Sequence, residues 1–202
     1  MKVLRYILWS IVILVTAILL GQVFSQKKDS GRQILSSGDS IGGSYTLTAH
    51  TGVTVKNTDF KGKFQFIYFG YSFCPDVCPI ELQKMTAALK MMEEKNVDTS
   101  AIQPLFITVD PERDTVAELA NFMPGFHPNF IGLTSDLETI QKVAPQYKIY
   151  FTKTGGTGNN DYLVNHSNYI ILMNKEGSFL KLFTAIDTPQ QIATTLTQLV
   201  QQ

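Results

Sequence analysis

Apolar and polar positions divide the chain into three stretches. From Ile7 to Phe24 the sequence ILWSIVILVTAILLGQVF is almost unbroken apolar, an eighteen-residue run at the short end of what spans a bilayer. Residues 26–44, QKKDSGRQILSSGDSIGGS, carry Ser, Gly and charge with almost no apolar periodicity, a composition that reads as a flexible spacer. From Tyr45 onward short apolar strands alternate with helical patterns. The boundaries expected are therefore an anchor or signal over 1–25, a linker over 26–44 and a folded domain over 45–202.

Within the domain, Tyr45–Ala49 and Val53–Val55 predict a small hairpin turned through His50, Thr51 and Gly52. Gln65–Gly70 (QFIYFG) and Pro104–Val109 (PLFITV) are unbroken apolar runs suited to strands buried on both faces. Leu82, Met85, Leu89 and Met92 recur at spacings of three and four, the stripe of a helix whose first turn accommodates Pro79. Val116–Met123 and Leu137–Tyr147 predict further helices, with a short strand at Ile131–Leu133. Residues 153–160 (KTGGTGNN) read as a loop. Tyr169–Met173 and Phe179–Phe183 then form a hairpin across NKEG, and a helix closes the chain from Pro189 to Leu199. This order predicts a thioredoxin-like α/β sandwich preceded by one N-terminal transmembrane helix.

Composition narrows the function. Lys+Arg and Asp+Glu are equal at 17 each, and no basic stripe, aromatic-arginine segment or phosphate-cradling loop is present, which argues against nucleic-acid binding. Lys2 and Arg5 before the apolar run favour an N-terminus on the cytoplasmic side, although Lys27, Lys28 and Arg32 follow it. The run is long for a signal peptide, so an uncleaved anchor is expected over cleavage after Val23 and Ser25. Either way the domain is exported into an oxidising compartment. The N-terminus lacks an Arg- and Ser-rich presequence, which points to a bacterial inner membrane with the domain facing the periplasm.

The chemistry concentrates in YFGYSFCPDVCPIEL, residues 68–82. Cys74 and Cys78 are the only cysteines, and they lie between a predicted strand and the start of a helix, where free N–H groups favour thiolate. Three residues separate them, not the two of the usual dithiol redox motif. The wider loop allows both sulfurs to face one soft ion, and a disulfide stays sterically possible. A structural zinc site wants four ligands, and the three histidines are scattered. His166 is the candidate third donor because it directly precedes the Tyr169–Met173 strand, yet a lone His at a strand end is more often solvated. His50 reads as a turn residue and His127 as a loop residue. The spacing of Met85, Met91, Met92 and Met123 argues for helix packing over a methionine copper site. Asp110, Glu112, Arg113 and Asp114 read as a capping and ion-pair cluster, with Asp114 at the start of a helix.

CPDVCP at 74–79, DPERDT at 110–115 and DYLVNHS at 161–167, in that order, resemble the Sco/SenC copper chaperones of cytochrome c oxidase assembly. The resemblance runs from about Gly43 to the C-terminus and includes GGSYTLTAHTG and DFKGK. It implies a membrane-anchored thioredoxin fold in which Cys74, Cys78 and His166 bind Cu(I) or Cu(II). The implied partners are oxidase subunit II, whose binuclear copper site is metallated, and a copper donor protein. Such a chaperone is not an enzyme. The competing reading is a thiol-disulfide reductase that uses Cys74 and Cys78 on the subunit II cysteines and has no need of His166. Asp76, Asp110 and Asn165 are candidates for supporting the donors or docking a partner. Two departures stand out: Ser72-Phe73 where many members have Thr-His, and Asn165 where many have Asp.

Overall fold

The computed structural model describes residues 41–156 and 161–201. The predicted span at 7–24 and nearly all of the predicted linker lie outside the described residues. Among the described residues no helix is long and apolar enough to cross a membrane. Ile41, near the end of the predicted spacer, is buried, and the Gly42 N–H donates to the Gln146 carbonyl at 2.8 Å, so packing starts ahead of Tyr45.

The strands are β1 Thr46–Ala49, β2 Thr54–Lys56, β3 Phe64–Gly70, β4 Ile102–Thr108, β5 Ile131–Thr134, β6 Phe151–Thr154, β7 Leu163–His166, β8 Ile170–Met173 and β9 Phe179–Phe183. The helices are α1 Val77–Glu94, α2 Val116–Phe122, α3 Leu137–Val143 and α4 Pro189–Val200. Seven strands form one sheet in the order β2-β1-β5-β4-β3-β8-β9, with β3, β4 and β5 parallel and the remaining pairings antiparallel. Every residue of β3 and β4 is buried, which is why both read as continuous apolar runs without alternation. Their register pairs Phe64 with Ile102 and Gly70 with Thr108, so the two strands end side by side at the edge where the cysteine loop begins.

The predicted stripe of α1 is in the core: Leu82, Met85, Leu89 and Met92 are buried. Met123 is also buried, and Met91 packs against the core. The helix lies against α4, whose N-terminus carries a capping box between Thr188 and Gln191 with Pro189 in the first turn. Two predicted helices are shorter than expected, because Val116–Met123 and Leu137–Tyr147 each finish in a 3-10 turn containing a proline, Met123–Gly125 and Ala144–Tyr147.

One element departs from the sequence reading. Strands β6 and β7 form a separate two-stranded antiparallel ribbon, and β6 takes in Lys153 and Thr154, which the sequence reading placed in the 153–160 loop. His166 is the last residue of β7, paired with Phe151, and is not a residue of the connection into β8.

Candidate metal centre

The cysteine arm starts where β3 stops. After Gly70 the chain turns, with the Cys74 N–H donating to the Tyr71 carbonyl at 3.3 Å, and enters α1. Neither cysteine is in a disulfide; Cys74 is half-buried and Cys78 fully buried. The residue at the N-cap, Asp76, makes no side-chain capping bond. Instead the Cys78 N–H, in the first turn, donates to Cys74 Sγ at 3.4 Å. The sulfur thus does what a Ser or Asp oxygen does at other helix starts, and a thiolate is favoured there by the free N–H groups and the helix dipole. Hydrogen bonding from the Cys78 thiol, with further bonds from the Cys78 and Asp76 N–H groups, pulls the Cys74 thiol far below its ordinary range despite some burial. Cys78 moves the opposite way: its bond to Cys74 and its burial push it up, so it keeps its proton.

Gly70 sits directly beneath this pair. A Cβ there would lie 2.8 Å from Tyr68 Cε1, 3.0 Å from Cys78 Sγ and 3.1 Å from Phe106 Cε2. Glycine is required at this strand end for space. The apolar run QFIYFG hides that requirement in the sequence.

His166 arrives from β7. Its Nε2 lies 3.3 Å from Cys78 Sγ, while Nδ1 lies 3.0 Å from the Ser167 carbonyl. The carbonyl can only accept, so the hydrogen-bond network assigns the proton to Nδ1 and leaves the Nε2 lone pair facing the sulfur. Tyr68 and Tyr71 flank the imidazole edge-on, with ring centroids 6.1 and 6.0 Å away. The Tyr68 hydroxyl donates to Asn168 Oδ1 at 3.0 Å, and burial holds its pKa well above the ordinary phenol value. The Val164 N–H donates to the Tyr71 hydroxyl at 3.3 Å, tying the ribbon to the cysteine arm. A shallow cleft of about 250 Å³ between the arms is lined by Tyr71, Cys74, Val77, Leu163, Val164 and His166. Phe73, Val77, Ile80 and Leu163 leave large apolar surface exposed.

The structure therefore brings Cys74, Cys78 and His166 together. Among the described residues, however, no three thiol, imidazole or carboxylate groups already surround a common metal position. Cys74 Sγ accepts from the Cys78 N–H at the helix N-terminus, and Cys78 Sγ lies against His166 Nε2. His50 and His127 are engaged elsewhere. His50 Nδ1 accepts from the Gly132 N–H, and His127 is buried against Glu93.

The supporting residues redistribute. Asp76 is exposed beside Cys74. Asn165 is exposed on β7, and strand alternation directs it away from the side that carries buried Val164, so the imidazole donates to the Ser167 carbonyl and not to Asn165. Asp110 is not on the surface. Its side chain is buried, paired with Arg113 and accepting from the Tyr162 hydroxyl at 2.7 Å, which leaves no carboxylate to meet a partner. Asp114 is not the helix cap either; Thr115 is, accepting from the Glu118 N–H. Asp114 is buried and accepts from the Ser72 N–H, the Ser72 hydroxyl and the Thr108 hydroxyl. Burial raises its pKa, and the bonds from Ser72 and Thr108 only partly offset that.

Comparison with known proteins places these residues in context. Residues 34–201 match the family model SCO1/SenC. Protein sco1 of Schizosaccharomyces pombe is 41% identical over 155 residues, 76% of this chain and 58% of that protein. The chain spans a little over half the length of the curated relatives it matches. Among solved structures, Arabidopsis thaliana ScoI with copper bound is 38% identical with a TM-score of 0.72, covering 80% of this chain and 98% of that one. Bradyrhizobium japonicum ScoI with copper bound is 37% identical with a TM-score of 0.72, covering 79% and 99%. The sandwich is thus a thioredoxin-like α/β fold.

Proposed function

The chain belongs to the SCO1/SenC family, and we propose that it is a copper metallochaperone that binds one copper ion through Cys74, Cys78 and His166. Its cargo goes to the binuclear copper site of cytochrome c oxidase subunit II, after delivery by a copper donor protein. Residues 1–25 anchor it, those from 26 to the start of packing at Ile41 form a tether, and the domain beyond faces the periplasm of a bacterial inner membrane. The observation that carries the reading is the His166 tautomer: Nδ1–H is committed to the Ser167 carbonyl, and Nε2 presents its lone pair 3.3 Å from Cys78 Sγ. Nothing in thiol-disulfide chemistry needs that arrangement. Two sulfurs and an imidazole suit copper, since soft thiolates hold Cu(I) and imidazole with sulfur holds Cu(II). Copper-bound ScoI structures from two organisms at 37–38% identity support the same cargo.

Each residue has a task in loading. Cys74 is already a thiolate and half-buried, so it is the donor an incoming ion meets first. Cys78 must release its proton to ligate, which makes uptake proton-coupled.

A second reading rests on the same asymmetry. A low-pKa, accessible Cys74 above a protonated, buried Cys78 is the arrangement of an attacking thiolate and a resolving thiol. Cys74 would attack a target disulfide and expel one target thiolate. Cys78, losing its proton, would then attack Cys74 Sγ and release the second, leaving a Cys74–Cys78 disulfide and a target reduced by two electrons.

Elemental analysis of the purified full chain decides between them. The reduced chain is expected to retain one equivalent of copper and the oxidised chain none. His166→Ala is expected to weaken Cu(II) strongly and Cu(I) less, because two thiolates still hold Cu(I). Equal Cu(II) affinity and spectrum in wild type and His166→Ala would overturn the ligand assignment. Full oxidase assembly by His166→Ala cells at low copper would transfer the role to the reductase.

A further inference from the structure

The β6–β7 ribbon is not part of the seven-stranded sheet, so the position of His166 depends on whatever fixes the ribbon. A two-stranded ribbon is marginal by itself. Two attachments lie closest to His166 in the chain. One is Val164, buried, with its N–H on the Tyr71 hydroxyl. The other is Tyr162, four residues before His166. Its hydroxyl donates to Asp110 Oδ1 at 2.7 Å, and its carbonyl accepts from Arg113 Nη1 at 3.0 Å. The Arg113 guanidinium lies 3.8 Å from the Tyr162 ring centroid, and Lys153 Nζ, itself paired with Glu112, lies 4.5 Å from it. Arg113 and Asp110 are paired at side-chain exposures of 8% and 0%, so the pair acts in a water-poor setting.

The same short turn also grips the other arm. Asp114 accepts from the backbone and hydroxyl of Ser72, two residues before Cys74. The turn is itself braced, with the Asp114 N–H on the Asp110 carbonyl at 2.9 Å and the Thr134 hydroxyl on the Asp114 carbonyl at 2.7 Å. One rigid turn thus holds the chain just ahead of Cys74 and just ahead of His166.

We propose that Asp110, Arg113 and Tyr162 form a latch that docks the β6–β7 ribbon and thereby sets His166 Nε2 against Cys78. They are positioning residues and touch no metal donor. The inference rests on the reading of Cys74, Cys78 and His166 as the copper site, but its first test does not involve copper. Arg113 also lies over the Phe73 ring at 5.1 Å, but Asp114 holds Ser72 independently, so loss of the latch frees the ribbon more than the cysteine arm and turns a three-donor site toward a two-thiol site.

The test is hydrogen exchange on the reduced, metal-free full chain in detergent, followed by copper(II) titration. Arg113→Ala is expected to speed exchange of the amides in 151–154 and 163–166 by roughly tenfold or more, the scale of a lost charge-assisted bond, with β3 and β4 amides unchanged. Tyr162→Phe keeps the ring under the guanidinium and loses only the Asp110 bond, so a smaller acceleration is expected. Arg113→Lys is expected to restore part of the protection. In the titration, Arg113→Ala should lose the imidazole nitrogen signature from the copper(II) resonance spectrum while still retaining one equivalent of Cu(I). Unchanged ribbon exchange in Arg113→Ala, or exchange accelerated equally throughout the core, overturns the latch. If Arg113→Ala does not fold, Tyr162→Phe decides by the same comparison. Absence of imidazole nitrogen in wild-type copper(II) spectra would overturn the ligand reading, and the exchange data would still judge the latch.

Discussion

Asp114 offers the sharpest quantitative test of how the cysteine arm is held. Removing its carboxylate takes the acceptor from three donors at once: the Ser72 N–H at 3.1–3.2 Å, the Ser72 hydroxyl at 2.5 Å and the Thr108 hydroxyl at 2.6 Å. At about 1–1.5 kcal/mol for each net bond, less the relief of a buried charge, Asp114→Ala should lose about 2–3 kcal/mol. Asn keeps one acceptor oxygen and places an NH2 group against the Thr108 hydroxyl, so Asp114→Asn should lose about 1 kcal/mol at pH 7. The pH dependence separates the two contributions. Burial raises the Asp114 pKa in the folded protein, so folding favours the protonated carboxyl. That contribution is fully present below the unfolded value of about 4 and is lost as pH rises through the folded value. The stability of wild type relative to Asp114→Asn should therefore fall with rising pH over that window. Urea unfolding followed by circular dichroism from pH 3.5 to 8 measures this. A loss under about 0.5 kcal/mol in Asp114→Ala, or a wild-type advantage over Asp114→Asn that grows with pH, would refute the reasoning.

Two further outcomes are expected. Gly70→Ala forces a methyl to within 3.0 Å of Cys78 Sγ and should cost about 1–3 kcal/mol by overpacking, read as a lower urea midpoint at unchanged slope; an unchanged midpoint would mean the strand end yields freely. Cys74, held far below its ordinary range, should be alkylated by iodoacetamide in the reduced chain even at pH 6, while Cys78 stays protected until the protein unfolds. Mass spectrometry checks the pair, and equal labelling of the two cysteines with a midpoint near 9 would contradict the assigned asymmetry.

The main sheet was legible because its physics is local. β3 and β4 are buried on both faces and read as solid apolar runs, and the Leu82–Met92 stripe marks the covered side of α1. The ribbon was not legible, because it buries little beyond Val164. Thr152, Lys153, Leu163 and Asn165 are half or fully exposed, and the Gly- and Asn-rich segment between the strands hides their pairing. The alternation of buried Val164 with exposed Leu163 and Asn165 was the available signal. Cys74 and Cys78 stood out from spacing alone, whereas His166 drew its support from family resemblance, since its partner lies 88 residues earlier in the chain. The buried role of Asp110 could not be read from DPERDT, because carboxylates are usually exposed and Tyr162, which buries it, is 52 residues away.

On the copper reading, the arrangement also bears on how a bound ion leaves. The three proposed donors belong to two arms, and their exposure differs: Cys78 lies at the bottom with none, while Cys74 and His166 are each partly open. A partner approaching across Phe73, Val77 and Leu163 reaches Cys74 and the His166 side before Cys78. Cys74 gives up least on losing an ion, because its thiolate returns to the helix N-terminus and the Cys78 N–H. His166 has a comparable resting state, edge-on between Tyr68 and Tyr71 with Nδ1 satisfied. Cys78 has the least to fall back on, since as a buried thiolate it would need its proton back at once. On the copper reading, release therefore runs from Cys74 and His166 to Cys78, and reprotonation of Cys78 favours the last step.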